Sequence, residues 1–296
     1  MGSIDNVAII GAGIMGHGIA QEYATAGLKV TVYDSIPSSL EQAKERIRSN
    51  LTPMVRRRAI TAQQAQSTMG RIHLARSLAE AAQDADFVVE AVSEDLSTKQ
   101  EVFRRLDDVC PAHAVLATNT SGLSITAVGS ATKRPDRVVG THYFNPSYLI
   151  PLVEVVPGKD TSRPTLEQTS ELLRSIGKVP VLVKKDVPGF VWNRLQFALL
   201  REACWLVANG VASVEDVDLV VRKGLGRRLS LMGPFETADF GGLDTFAAIS
   251  EYLWKDLDGF TVLPGRAQMQ SGFAAHPRVL ATQTDYPSLG SECPAS

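Results

Sequence analysis

Over roughly the first 185 residues, short Val- and Ile-rich runs alternate with segments of helical period. That is the pattern of a mostly parallel sheet covered by helices. The runs predict strands at 7–10, 29–33, 71–74, 87–89, 114–118 and 137–140, with helices at 15–26, 40–51 and 99–109. Two further runs, 152–156 and 179–183, flank a helix at 165–176, and Gly177 stands where a helix C-cap is favoured. The texture changes at Asp186-Val187-Pro188-Gly189, where Pro and Gly break the strand pattern. A long apolar-rich helix is expected at 190–208 and a second at 214–221, opened by the capping pair Ser213 and Asp216. Others start near Pro234 and span 244–254. The expected organisation is an α/β domain over 1–187 and an all-α domain over 188–296, with the periodicity dissolving after Asp256.

Composition adds exclusions. The 296 residues are 44% apolar and 21% charged, an ordinary globular balance long enough for two domains. A formal charge of -2 gives no reason to expect nucleic acid or an anionic membrane as partner. Cys110, Cys204 and Cys293 are odd in number and widely spaced, with no metal or redox pairing pattern, and no apolar run is long enough to span a bilayer. No signal-peptide pattern precedes the first strand, so the expected location is cytoplasmic.

The first chemistry lies in Gly11-Ala12-Gly13-Ile14-Met15-Gly16, between a strand and a helix. Gly11 allows a tight turn, Gly13 admits a pyrophosphate, and Gly16 lets helix and strand pack closely. The helix N-terminus, at Ile14 and Met15, offers its amides to the phosphates. Asp34 ends the second strand, where a carboxylate accepts from the adenosine ribose hydroxyls. It would repel a 2′-phosphate, and no Arg follows at once to hold one, which favours NAD over NADP.

Hydride transfer from an alcohol to NAD needs a base for the hydroxyl proton. His142 follows the run 137–140, and Glu154 sits inside the apolar run Leu152-Val153-Glu154-Val155-Val156. A carboxylate there is costly to bury unpaired. If the chain folds back through Asn145-Pro146, Glu154 returns to His142. Spacing alone leaves this open against a His beside a turn and a Glu on an edge strand.

With these residues stand Val89-Glu90-Ala91-Val92-Ser93-Glu94-Asp95-Leu96, Asn119-Thr120-Ser121, His142-Tyr143-Phe144-Asn145-Pro146, Pro151-Leu152-Val153-Glu154 and Pro188-Gly189-Phe190-Val191-Trp192-Asn193-Arg194. In this order the set resembles the L-3-hydroxyacyl-CoA dehydrogenase family over roughly residues 5 to 255. The resemblance implies a Rossmann-like NAD-binding domain, then an all-α domain through which the protein pairs as a homodimer. It implies His142 as general base and acid, oriented by Glu154. Ser121, Asn145 and Asn193 would meet the substrate, Ser121 at its hydroxyl and Asn193 at its carbonyl. Glu94, Lys99 and Asn119 would contact the cofactor. Arg46, Arg48 and Arg56-Arg57-Arg58 gather charge where members using CoA bind its nucleotide end. Arg56 and Arg58 are the candidates for its phosphates. The other reading of this cluster is a solvated face balanced by Glu41 and Glu45.

Three features depart from the fatty-acyl pattern. The family's Lys-bearing tail is replaced by Gln270-Ser271-Gly272-Phe273-Ala274, while Asn145-Pro146-Ser147-Tyr148 and Gly224-Leu225-Gly226-Arg227-Arg228 lean toward the λ-crystallin/L-gulonate and carnitine dehydrogenase branches. A short-chain 3-hydroxyacyl-CoA is the expected substrate. The alternatives are a free hydroxy acid or small polar alcohol, and a non-catalytic NAD-binding structural or sensor protein.

Overall fold

The computed structural model describes residues 4–257; the tail pattern at Gln270 to Ala274 and Cys293 lie outside them. The chain runs β1 (Asn6–Ile10), α1 (Ile14–Thr25), β2 (Lys29–Tyr33), α2 (Pro37–Arg56), α3 (Ala62–Gly70), β3 (Ile72–Leu74), α4 (Leu78–Ala82) and β4 (Phe87–Glu90). It continues with α5 (Leu96–Val109), β5 (Val115–Thr118), α6 (Ile125–Gly129), β6 (Val138–Tyr143), β7 (Leu152–Pro157), α7 (Arg163–Ser175) and β8 (Val179–Leu182). Then follow α8 (Trp192–Ala208), α9 (Val214–Val220), α10 (Gly226–Leu229), α11 (Pro234–Gly241) and α12 (Leu243–Asp256).

The eight strands form one sheet in the order β3-β2-β1-β4-β5-β6-β7-β8. Every pair is parallel except β6 with β7. The first six follow the doubly wound dinucleotide-binding order, and the strand order reverses between β1 and β4, where such sheets place their ligands. Alternate residues serve opposite faces. Val7 and Ile9 pack with Ile19, Tyr23 and Ile47 on one side, while Ala8 and Ile10 pack with Leu78, Phe103 and Leu106 on the other.

Several boundaries differ from the sequence expectation for physical reasons. Strand β6 does not stop at residue 140 but runs through Tyr143, because antiparallel pairing with β7 carries it on. His142 therefore lies inside a strand. Helix α2 continues past residue 51 with Pro53 in its last turns, and α3 opens on a capping box between Thr61 and Gln64. Helix α8 begins at Trp192 rather than 190, since Gly189 and Phe190 hold positive φ angles of 76° and 50°. Ser213 caps α9 as expected, accepting from the Asp216 amide.

The chain parts into two compact units between Arg194 and Leu195. Residues 188–194 thus stay with the sheet, tied to it by hydrogen bonds to Glu154 and Ser121. No side chain of α8 to α12 is buried. Among the described residues, no helix is long and apolar enough to cross a membrane.

Candidate active site

The turn after β1 separates the jobs of its glycines. Gly11 has φ 104°, and a Cβ there would meet the Ala91 carbonyl oxygen at 2.5 Å. A Cβ on Gly16 would collide with the Gly11 carbonyl. The protein's own packing thus demands both. A Cβ on Gly13 would meet nothing within 4 Å, so the ground before α1 is open. Helix α1 starts at Ile14 and Met15 with no side-chain cap and no acid in its first turn, which leaves an anion-binding helix end. Asp34 braces the turn: its two oxygens accept from the amides of Ala12 at 2.7 Å and Ile36 at 2.8 Å. A carboxylate so engaged keeps further acceptor capacity. These residues fit a dinucleotide. His17 sits beside them with Nδ1 2.7 Å from the Gly13 carbonyl oxygen. Its pKa is lowered, chiefly by burial, against the opposing pull of that contact.

At the carboxyl ends of β4 and β5 lies a polar network. Glu90 is buried and accepts from Lys99 Nζ at 2.7 Å, the Val92 amide at 2.7 Å and Thr118 Oγ1 at 2.6 Å. Lys99 is 1% exposed, with the Val92 carbonyl and Glu94 each 3.4 Å from its ammonium. Its three donors face this chain's own acceptors, so Lys99 braces the end of β4. Glu94 reaches across to accept from Thr120 Oγ1 at 2.5 Å and the Ser121 amide at 2.7 Å. Asn119 accepts from the Tyr143 amide at 2.9 Å, fastening β5 to the residue after His142. Asn193 donates from Nδ2 to the Ser121 carbonyl at 2.9 Å. Two residues distant in sequence thus share one place.

His142 and Glu154 are directly opposed in the β6–β7 register, with Nδ1 and Oε2 2.8 Å apart. Both are buried. The other carboxylate oxygen of Glu154 accepts from the amides of Val191 at 2.9 Å and Trp192 at 2.8 Å. Burial pushes the Glu154 carboxyl up, but the His142 hydrogen bond, those two amides and the nearby imidazole outweigh it. Its pKa is held below the ordinary value. An ionised Glu154 takes the Nδ1 proton as its hydrogen-bond donor, which leaves Nε2 of the neutral ring as the basic nitrogen. Phe144 and Phe190 pack edge-on to the imidazole at 4.5 and 5.6 Å, and Trp192 stacks on Phe144 at 4.1 Å.

Sequence reasoning did not find these aromatic walls or the two amides. The Pro188-Gly189-Phe190 break was the available signal, because a tight turn there presents successive amides to one acceptor. Asn145 is exposed, in a cis peptide bond with Pro146. The basic cluster divides. Arg46 donates to the Ala12 carbonyl and to Gln42, and Arg48 pairs with Glu45, whereas Arg56 and Arg58 are exposed where α2 ends.

Comparison with known proteins gives this arrangement its family. Residues 6–187 match the family described as 3-hydroxyacyl-CoA dehydrogenase, NAD binding domain, and residues 189–272 its C-terminal domain. The chain is similar to a probable 3-hydroxybutyryl-CoA dehydrogenase of Bacillus subtilis, 40% identical over 86% of this chain and 87% of the relative. It is 39% identical to 5-formyl-3-hydroxy-2-methylpyridine 4-carboxylate 5-dehydrogenase of Mesorhizobium japonicum, over 86% of this chain and 81% of that one. Among solved structures it resembles the corresponding dehydrogenase, described as an NAD+-dependent dismutase, with a TM-score of 0.84 and 36% identity over 92% of this chain and 87% of that one. The chain belongs to the 3-hydroxyacyl-CoA dehydrogenase family and carries that family's NAD-binding domain.

Proposed function

We propose that the protein interconverts a 3-hydroxyacyl-CoA of short chain length and its 3-keto form. The observation that carries this reading is the buried His142–Glu154 pair, beside Ser121 and Asn193 and at the carboxyl end of a dinucleotide-binding sheet. NAD supplies the hydride acceptor when bound. Gly11, Gly13, Ile14, Met15, Gly16 and Asp34 would hold it, with Glu94 and Asn119 shaping the adjoining strand ends. In oxidation His142 Nε2 takes the hydroxyl proton, and Glu154 stabilises the imidazolium that results. In reduction the same nitrogen returns the proton. The Ser121 hydroxyl holds the reacting oxygen, and Asn193 stabilises charge developing on the substrate. Asn145 borders the substrate, and Arg56 and Arg58 would pair with CoA phosphates.

NADH absorbance followed with acetoacetyl-CoA, acetoacetate, L-gulonate and L-carnitine tests the substrate class. Turnover of acetoacetyl-CoA above the others is expected. A preference for a free acid, or for the pyridine aldehyde acid of the Mesorhizobium relative, would move the assignment to small polar substrates. NADH binding without turnover of any would favour the sensor alternative. The double change Arg56→Glu/Arg58→Glu should raise KM for the CoA ester and leave a free acid unaffected. Equal effects on both would remove the CoA assignment.

The same reading includes a homodimer joined through the helical unit. Its support is that unit's apolar surface, on which Leu231, Phe235 and Phe240 are 84%, 88% and 85% exposed. Sedimentation at micromolar concentration should give a dimer; a monomer would overturn this part of the reading. A cytoplasmic location accompanies it, supported by the thiols of Cys110 and Cys204, which are free among the described residues.

A further inference from the structure

Lys178 lies between α7 and β8, after the left-handed Gly177. Its side chain is buried, which is unusual for lysine unless every donor is used. The ammonium donates to the carbonyl oxygens of Ser147 at 2.6 Å and Ile150 at 3.3 Å, and pairs with Glu22. Burial raises the Glu22 carboxyl, and the bond and charge of Lys178 oppose that shift. One cation therefore joins α1, the helix that leaves the Gly-rich turn, to the loop 144–151 between the strands of His142 and Glu154.

Two more contacts reach from α1, one to the last residue of β6 and one to the loop. Tyr143, next to His142, donates to Tyr23, next to Glu22, at 2.8 Å, and both rings are buried. Gly18 faces Ser147 so closely that a Cβ would collide with its hydroxyl. Within the loop, the amides of Leu149 and Ile150 both donate to the Pro146 carbonyl at 3.0 Å. The loop thus folds onto itself, and Lys178 ties its carbonyls to α1. Asn145 sits at its start.

We infer that Lys178 is a positioning residue: it pins the Asn145-bearing loop to the cofactor helix and so sets the geometry in which substrate meets the His142 pair. It touches neither substrate nor reacting atoms. A neutral side chain of similar length would leave the two carbonyls and Glu22 without their shared donor, and the loop would open while β6 and β7 keep their ladder. The role in substrate binding rests on the dehydrogenase reading; the pinning itself does not.

The test uses the full-length protein with Lys178→Met, Lys178→Arg and the double change Glu22→Gln/Lys178→Met, which leaves no buried carboxylate orphaned. Amide exchange by mass spectrometry over 146–151 should quicken about tenfold or more in the Met variants, while the peptide covering β1 and Gly11 stays protected. KM for acetoacetyl-CoA should rise about tenfold with kcat and the NADH Kd within about twofold of wild type. Arg should restore most of both effects. Unchanged exchange over 146–151 in the double variant would overturn the pin. Faster exchange with an unchanged KM would overturn its role in substrate binding. If the wild type turns over no CoA ester, the dehydrogenase reading fails, while the exchange result still decides the pin.

Discussion

In the sheet-bearing unit, Ile9, Val32, Phe87 and Leu116 are sealed from solvent between β-strands and helices. In the helical unit no residue of α8 to α12 is buried, and Phe235 and Phe240 stand almost fully in water. The first unit contains its own hydrophobic core. The second carries comparable apolar residues at helical spacing but, among the described residues, encloses none of them. A helix whose apolar face has nothing to cover it gains little from tertiary packing, the main source of helix stability in proteins. The difference teaches what each proposal rests on: the proposed chemistry sits on a unit with its own core, and the proposed association depends on the exposed apolar residues of the helical unit.

The largest test of that contrast lies in the core. Phe87→Ala should destabilise the sheet unit by about 3 to 5 kcal/mol in urea unfolding, whatever the protein concentration. The smaller effect belongs to the helical unit. Phe235→Ser, on an isolated exposed surface, would change stability by less than about 0.5 kcal/mol. In the dimer it should lower Tm, and that Tm should fall further on dilution as the subunits separate. A concentration-independent Tm in both variants would erase the proposed distinction.

A finer effect concerns pH. Because the folded Glu154 carboxyl titrates below its ordinary value of 4.5, its ionised form favours the folded state. That stabilisation is complete above the ordinary value and is lost as pH falls through the lowered one. Urea midpoints measured from pH 6 downward should therefore fall less steeply in Glu154→Gln than in wild type. Parallel curves would mean that the carboxylate gains nothing from His142 and the two amides.

Much of this site was legible because its constraints are local or strongly patterned. Gly11, Gly16 and Asp34 follow from a strand, a turn and a helix in immediate succession. His142 and Glu154 could be paired on the premise that the chain reverses at Asn145-Pro146, but their exact opposition needed the ladder. The rest depends on contacts distant in sequence. Lys99 carries no mark of the buried Glu90 that receives it, nor Lys178 of Glu22 and the two carbonyls. The amides of Val191 and Trp192 have no residue type to announce them. The division of the Arg cluster likewise depends on where α2 ends, and Pro53 disguised that end.

The central claim is that His142, held by Glu154, moves the substrate proton. Its most direct test is kcat for His142→Gln with saturating NADH and acetoacetyl-CoA, beside the NADH Kd of the same variant. The expected result is a loss of about 10²- to 10⁴-fold in kcat with NADH binding intact. A kcat near wild type, in protein that still binds NADH, would contradict the account.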